Sequence, residues 1–460
     1  MVTDWHIYHI LQAVFAYKLT YFGTFAGVMD AFSFGIGALV FGGLIYIIPV
    51  FIGVSKNALV FSWVVKVVAA LALLYVYTQV YPKRAEADAF KYFDDGIILY
   101  EISEEHPKAF VRIMTGVWTE SDLLYLNRLN YWFRTYDHGI VNDNRLVIRF
   151  NALLNLISQG SYGFNLFVFL ALSWLGAYWL FQLFLGLSSS KITSYVAAFL
   201  IPSTVFWSSG ILKEALLFFA LGGFLFSVFR LHQRFRLGLL TLGIVCLLLL
   251  LFLKIYILIA LFPLVLMTWL WERTKTWKNR AFIILIFMGL CITCHALFFP
   301  NWSALSTIQG KQFDFIQMAQ AVNAGSVVPI IPMDGKITTI LTLIPIGIWN
   351  VLVYPDLTML KNGQSVVAFI ENFLILLVFL GAVIRLKGLT WKLDWRFPML
   401  LFSLAVVSLV GMTAPVVGAM VRYKAPVLPF LWMSLSHYQI QKIKLKFTSN
   451  SIYQWLNMHL

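Results

Sequence analysis

A short acidic stretch, AEADAFKYFDDG (residues 85–96), directly follows a long apolar run. If this stretch is helical, Asp88, Tyr92 and Asp95 share one face, because they stand at i, i+4 and i+7. A carboxylate that is partly desolvated beside a membrane has a raised pKa, which suits a general base. We therefore predict Asp88 as a catalytic base, with Glu86, Tyr92 and Asp95 binding substrate beside it. The alternative is a solvated interfacial helix that does no chemistry.

A second pair of charges stands in PSTVFWSSGILKEALLFFALGG (residues 202–223), where Lys213 and Glu214 begin a long apolar helix. Adjacent helical residues point about 100° apart, so we expect one of the two to face the protein interior. A charge within or at the edge of a membrane is costly and points to function. The alternative is an acid favoured by the helix dipole next to a lysine that reaches the interface.

A third group of charges lies near the end of the chain, in GMTAPVVGAMVRYKAPVLPFLWM (residues 411–433). Arg422 and Lys424 stand there between small residues and two prolines, at the outer end of the last predicted span. Two cations at this place can clamp a phosphate or pyrophosphate, the arginine through two parallel hydrogen bonds. The alternative is that both side chains only reach the membrane interface.

A further candidate segment is RTYDHGIVNDNRLVIRFNALLNLIS (residues 134–158). Arg145 and Arg149 stand at i, i+4 on a predicted interfacial helix, where they can bind a substrate phosphate or lipid headgroups. The segment also carries Asp137, His138 and Asp143. The histidine has no neighbours at metal-ligand spacing, so no metal site is predicted.

The composition defines the setting for these charges. Of 460 residues, 60% are apolar and only 12% are charged, against about half and a quarter in a soluble domain. The net charge of +14 does not indicate nucleic-acid binding, because the basic residues alternate with apolar runs instead of forming one patch. The three cysteines all lie in apolar runs, so no disulfide framework is expected.

The apolar runs predict an all-α polytopic membrane protein with about 11–12 transmembrane helices. A weaker run at residues 9–25 is the twelfth candidate. The other predicted spans are residues 31–53, 58–80, 162–186, 191–208, 213–230, 237–253, 255–271, 281–299, 366–385, 398–416 and 422–438. We expect Lys254 to lie at an interface, in a tight turn between two of these helices.

Short basic connections set the orientation of the spans. The connections at residues 229–236, 271–280 and 385–396 are basic and are therefore predicted to be cytoplasmic. We then expect one integral membrane domain, residues 1–460, with an outward loop at 82–161 that carries interfacial helices. A second outward loop spans 300–365, and its apolar segment 337–355 is predicted to be a re-entrant or interfacial hairpin.

Three short motifs together resemble those of the GT-C glycosyltransferases. They are AEADAFKYFDDG, the S-G-x-x-K-E turn in PSTVFWSSGILKEAL, and R-Y-x-x-P-x-x-P in VRYKAPVLPFL. The layout of spans is also similar, particularly to bacterial members that build cell-surface polysaccharides. The resemblance implies that Asp88 is the base for the acceptor hydroxyl and that Arg422 holds the donor phosphate. It also implies that Lys213 and Glu214 line the donor or acceptor cleft.

The function implied is transfer of a sugar from a polyprenyl-phosphate donor to a glycan or lipid acceptor. The resemblance places this multi-pass enzyme in the bacterial inner membrane, with its active site facing the periplasm or exterior. The expected partners are the lipid-linked donor, the acceptor and membrane lipids, without nucleic acid. No cofactor is assigned, and a divalent cation is left open.

Two alternative functions also fit these motifs and predicted spans. The first is an O-antigen or exopolysaccharide polymerase that uses oligosaccharides linked to polyprenyl pyrophosphate. The second, a lipid or polysaccharide transporter, is less favoured because it requires ionisable residues near the middle of several spans.

Overall fold

The computed structural model describes residues 30–49, 51, 53–80, 84, 87–134, 142–187, 190–270, 279, 282, 285–286, 303–385 and 395–435. In chain order the helices are α1 (Asp30–Ile47), α2 (Lys56–Tyr75, followed by a π-helical segment Val76–Val80), α3 (Asp88–Glu105), α4 (Pro107–Thr115), α5 (Leu123–Leu126), α6 (Asn144–Ser158), α7 (Tyr162–Leu187), α8 (Lys191–Phe199), α9 (Pro202–Trp207), α10 (Lys213–Gln233), α11 (Leu237–Leu270), α12 (Ala304–Ala321), α13 (Ile337–Val353), α14 (Gly363–Arg385), α15 (Arg396–Thr413), α16 (Val417–Lys424) and α17 (residues 428–435).

The architecture is that of an all-α multi-pass membrane protein, as predicted. Within the described residues, seven helices are long and apolar enough to cross a membrane: α1, α2, α7, α10, α11, α14 and α15. Large side chains on their outer faces are exposed, including Leu39 and Ile47 on α1. Such an apolar exterior is expected where lipid, and not water, surrounds the helices.

Several predicted spans differ from the observed helices. Residues 191–208 form two short helices, α8 and α9, because Pro202 cannot continue the hydrogen-bond ladder of α8 and instead starts α9. The two spans predicted on either side of Lys254 are observed as two helical halves that meet at non-helical backbone angles at this residue, and we number them together as α11. The break is a kink, where a tight turn was expected. The predicted spans 9–25 and 281–299 lie wholly or almost wholly outside the described residues.

The predicted hairpin at 337–355 is wrong, because this segment is one continuous helix, α13, that contains Pro345. It packs closely on α15, where a β-carbon added to Gly411 would lie 1.9 Å from the carbonyl oxygen of Gly347. Such contacts between small residues are typical of membrane helices, since they let two backbones approach. The partner helix therefore stabilises an uninterrupted α13.

The centre of the bundle is helix α10, which packs parallel to α7 and antiparallel to α11. Where α7 crosses α10, a β-carbon on Gly222 would lie 2.1 Å from the carbonyl oxygen of Gly176. This backbone contact fixes the position of α10 along α7. It therefore also fixes the positions of Lys213 and Glu214 at the N-terminus of α10. The connection between α10 and α11 is only three residues long, 234–236, so the two helices pack side by side as neighbours.

The helices α3 to α6 form a separate layer at one end of the bundle, which we call the α3–α6 layer. Helix α3 packs on α6. Asn165 of α7 donates its amide to Asn151 of α6 at 3.1 Å and to Asn155 at 2.8 Å, all three side chains being buried. Buried amides of this kind are stable only when they are hydrogen-bonded, so they fix the layer to the bundle.

Candidate functional site

Arg422, at the end of α16, joins two carboxylates from distant parts of the chain. Its Nη1 donates to Asp88 Oδ2 at 2.5 Å, and its Nη2 donates to Glu214 Oε2 at 2.8 Å. Asp88 begins α3 and Glu214 lies in the first turn of α10. The guanidinium therefore connects the α3–α6 layer with two helices of the bundle, and it brings together three of the predicted site residues.

A second ionic group forms around Asp143, next to the start of α6. Its carboxylate contacts Lys213 Nζ at 2.8 Å and Lys254 Nζ at 3.5 Å. It also accepts a hydrogen bond from Arg134. One carboxylate is thus met by three cationic side chains, from the α3–α6 layer, α10 and α11.

Tyr92 stands between the two ionic groups. Its ring centroid lies 5.4 Å from Lys213 Nζ, and its hydroxyl donates to Asn144 Oδ1 at 3.4 Å. The same Asn144 oxygen accepts from Arg134 at 3.2 Å. Tyr92 lies one turn after Asp88 on α3, so the two groups share one continuous polar cluster. We call this the cationic site, made of Asp88, Lys91, Tyr92, Arg134, Asp143, Lys213, Glu214, Lys254 and Arg422.

The cationic site holds more positive than negative side chains. Lys91, Arg134, Lys213, Lys254 and Arg422 face three carboxylates, those of Asp88, Asp143 and Glu214. The side chains of Glu214 and Arg422 are only 2% and 12% exposed. Charges removed from water need partners of opposite sign. The arrangement therefore suits an anionic ligand, and arginine and lysine are the usual partners of phosphate.

The predicted rise in the pKa of Asp88 is wrong. Burial raises this pKa, but the charges of Arg422 and Lys91 outweigh the effect, and the pKa falls from 3.8 to about 2. The prediction considered the membrane alone, and it missed a guanidinium that lies 334 residues away in sequence. A carboxylate with so low a pKa is a weak base while it is paired in this way.

Three other predicted site residues make contacts within the α3–α6 layer. Asp95 is fully buried and accepts hydrogen bonds from the backbone N–H groups of Asn130 at 2.9 Å and Tyr131 at 2.8 Å. Arg145 donates to the carbonyl oxygen of Trp132 at 3.1 Å, and Arg149 donates twice to that of Ile113.

Both arginines also lie beside the Trp132 ring, with distances of 5.3 and 4.9 Å from the guanidinium carbon to the centroid. These contacts hold the fold of the layer and are separate from the cationic site. Asp88, Tyr92 and Asp95 share one helical face, but only Asp88 and Tyr92 belong to the cationic site.

Lys424 takes part in a different cluster from Arg422, so the predicted pair of clamping cations is not formed. Lys424 is 1% exposed, donates to Asn372 and lies 3.8 Å from Glu371, both on α14. Glu371 in turn accepts from the backbone N–H of Ser203 at 2.7 Å. Residues i and i+2 of a helix point in nearly opposite directions, so neighbours in sequence separate in space.

The remaining predictions have mixed outcomes. Glu86 lies outside the described residues. We expected one of Lys213 and Glu214 to face the interior, and both are buried. Lys213 meets the α3–α6 layer through Asp143, while Glu214 meets α16 through Arg422. Two packing partners on different sides of α10 make this possible.

Sequence reasoning missed Lys254 as a site residue, although the signal was present. Helices α10 and α11 are antiparallel with a three-residue connection. Counting back from that connection pairs residue 254 with residue 216, one turn from Lys213. The kink at Lys254 therefore falls at the level of the site, and its Nζ lies 4.8 Å from the centroid of the Tyr423 ring.

Lys66 was also missed, and it lies near the middle of α2. It is 4% exposed and donates to Ser208 Oγ at 2.8 Å. It lines a small cavity with Ser62, Ala177, Ala198, Phe199, Thr204, Val205, Ser208 and Phe218. The predicted spans contain few ionisable residues, with Lys254 and Glu371 near predicted ends, and Lys66 adds one near the middle of α2.

The described residues hold no group of three or more histidine, cysteine, aspartate or glutamate side chains placed to bind a metal ion. Each carboxylate of the cationic site is paired with a cationic side chain, so the residues present do not form a cation site as they stand.

Comparison with known proteins gives no match: no protein-family model fits the chain, and no similar characterised protein or solved structure was found. Fold and site together define a class, a multi-pass helical membrane protein with a buried, cation-rich site.

Proposed function

We propose that this chain is a membrane glycosyltransferase that moves a sugar from a polyprenyl-phosphate donor to a glycan or lipid acceptor. The observation that supports this most is the position of Arg422, which donates hydrogen bonds to Asp88 and Glu214 where the helix bundle meets the α3–α6 layer. A lipid-linked sugar phosphate needs such a junction, since its phosphate requires cations and its hydrocarbon tail requires apolar helices.

In the proposed reaction, Arg422 binds the donor phosphate and stabilises the charge that develops on it as the leaving group departs. The acceptor hydroxyl attacks the anomeric carbon and gives its proton to Asp88. A glycosidic C–O bond forms, and the bond between the anomeric carbon and the phosphate oxygen breaks. The products are the glycosylated acceptor and polyprenyl phosphate, and we place the site on the outer face of the bacterial inner membrane.

A second candidate is the polymerase that uses polyprenyl pyrophosphate. The three cations around Asp143 favour it, because a diphosphate has a second charged group to place near Lys213 and Lys254. The two candidates share the reaction type and differ in the leaving group. A donor series with mono- and diphosphate links separates them by kcat/KM.

The deciding experiment measures transfer by the purified protein from a sugar linked to a short polyprenyl phosphate. Arg422→Lys keeps the charge but loses the two-sided hydrogen bonding, so we expect kcat/KM to fall by on the order of a hundredfold. Arg128→Lys is the matched control, because Arg128 pairs with Glu101 and Glu105 on the exposed side of the layer. Equal activity of Arg422→Lys and the wild type would refute the assignment.

A further inference from the structure

Arg422 is held by two carboxylates of very different accessibility. The side chain of Glu214 is 2% exposed, whereas that of Asp88 is 32% exposed. An anion that enters from solvent therefore meets the Asp88 side of the guanidinium first. Glu214 is the fixed anchor of Arg422, and Asp88 is the partner that an incoming ligand can displace.

Asp88 also has a second cationic partner, Lys91, when its contact with Arg422 is broken. Lys91, on the next turn of α3, lies 3.6 Å from the other carboxylate oxygen, Oδ1. The carboxylate keeps this cation as it moves away, which reduces the cost of breaking the contact with Nη1. On the arginine, Nε is buried and has no hydrogen-bond partner among the described residues, so the guanidinium retains unused donor capacity.

From this geometry we propose that Asp88 and the donor phosphate bind Arg422 in turn, so that arrival of the phosphate releases the carboxylate for catalysis. The inference rests on the proposed function, which it deepens with a regulatory step. Asp88 then acts as an internal competitor that occupies the phosphate position. Its pairing with Arg422 keeps it a weak base until a donor is bound, since loss of that charge lets its pKa rise towards the ordinary value.

The exchange makes an unusual prediction for Asp88→Asn. This change removes the competing charge, so we expect the protein to bind phosphate more tightly while it loses transfer activity. One charge-assisted hydrogen bond is worth about 1.5–3 kcal/mol, which corresponds to a Kd lower by about tenfold or more. The probes are inorganic phosphate and farnesyl phosphate, with binding measured calorimetrically on the full-length protein in detergent.

Two control variants separate this exchange from a general charge effect. Asp94→Asn removes a carboxylate from the same helix, and Asp94 pairs with Arg84 at the surface, so its Kd should equal that of the wild type. Glu214→Gln removes the other charge on Arg422, but from a position that solvent does not reach. We expect no comparable tightening there. Equal tightening in Asp88→Asn and Glu214→Gln, or none in Asp88→Asn, would overturn the exchange.

The remaining outcomes are also distinguishable. Tightening with farnesyl phosphate or with inorganic phosphate supports the exchange, and the probe that shows the larger effect identifies a lipid-linked or a free phosphate as the natural ligand. If Asp88→Asn binds phosphate more tightly but the wild type transfers no sugar, the exchange stands and the glycosyltransferase proposal falls. If the wild type transfers sugar and Asp88→Asn binds no better, the exchange alone falls.

Discussion

Arg422 and Lys424 are two residues apart, yet their partners come from different helices. Arg422 bonds to Asp88 and Glu214, while Lys424 bonds to Asn372 and lies near Glu371. A charged residue in an apolar chain is conspicuous in sequence, so both were found as candidates. The direction in which each side chain points depends on its position around the helix. The two cations therefore do not clamp one phosphate together, as the sequence predicted.

Asp95 gives the clearest pH dependence at the scale of single residues. Its burial raises the pKa from 3.8 to about 6, although two backbone N–H groups oppose the shift. Because the folded pKa is the higher one, the folded state binds the proton more tightly, and stability falls as the pH rises from about 4 to about 6. Two pH units correspond to at most about 3 kcal/mol.

We therefore expect the unfolding temperature of the wild type to rise more than that of Asp95→Asn when the pH is lowered from 7 to 5. Thermal unfolding in detergent at both pH values gives the two slopes. Parallel slopes would show that Asp95 titrates normally. Asp94→Asn serves as the control, because Asp94 is half-exposed on the same helix.

Among the helices, the crossing of α7 and α10 has the strictest geometry. Gly222 and Gly176 bring two backbones together at the level that positions Lys213 and Glu214. A methyl group has no room there, since the nearest neighbour is a carbonyl oxygen that cannot rotate away. We expect Gly222→Ala to destabilise the protein by about 1–3 kcal/mol, the usual cost of overpacking.

The matched control for that change is Gly43→Ala in α1. A β-carbon added to Gly43 meets nothing within 4 Å. We expect this variant to be neutral or slightly more stable, because alanine favours helices over glycine. Thermal unfolding of both variants in the same detergent checks the pair. A neutral Gly222→Ala would mean that α7 and α10 can separate without cost.

The sequence predicted the kinds of element well and their contacts only in part. Long apolar runs determine helices in a membrane, because a helix satisfies its own backbone hydrogen bonds. Local residues also account for the break between α8 and α9 at Pro202, and the break predicted at Lys254 is observed as a kink. The pairing of Asp88 with Arg422 spans 334 residues, and no local pattern in the sequence encodes it.

On the scale of the whole molecule, the direction of helix α10 indicates on which side of the membrane the cationic site lies. The helix has 21 residues, so it is about 32 Å long at 1.5 Å per residue, enough to span a membrane. Lys213 and Glu214 begin it, and the basic connection 234–236 follows its other end. The site and this connection therefore lie at opposite ends of the helix. If the connection is cytoplasmic, the site faces outward.

Cysteine labelling tests this orientation directly. In a variant whose three native cysteines are replaced, we introduce Lys108→Cys on α4 or Arg236→Cys in the connection, both exposed positions. Because α4 belongs to the layer that carries Asp88, a membrane-impermeant maleimide should label Lys108→Cys in intact spheroplasts. Arg236→Cys should react only after lysis. The reverse pattern would place the cationic site in the cytoplasm, where a donor on the outer face of the membrane could not reach Arg422.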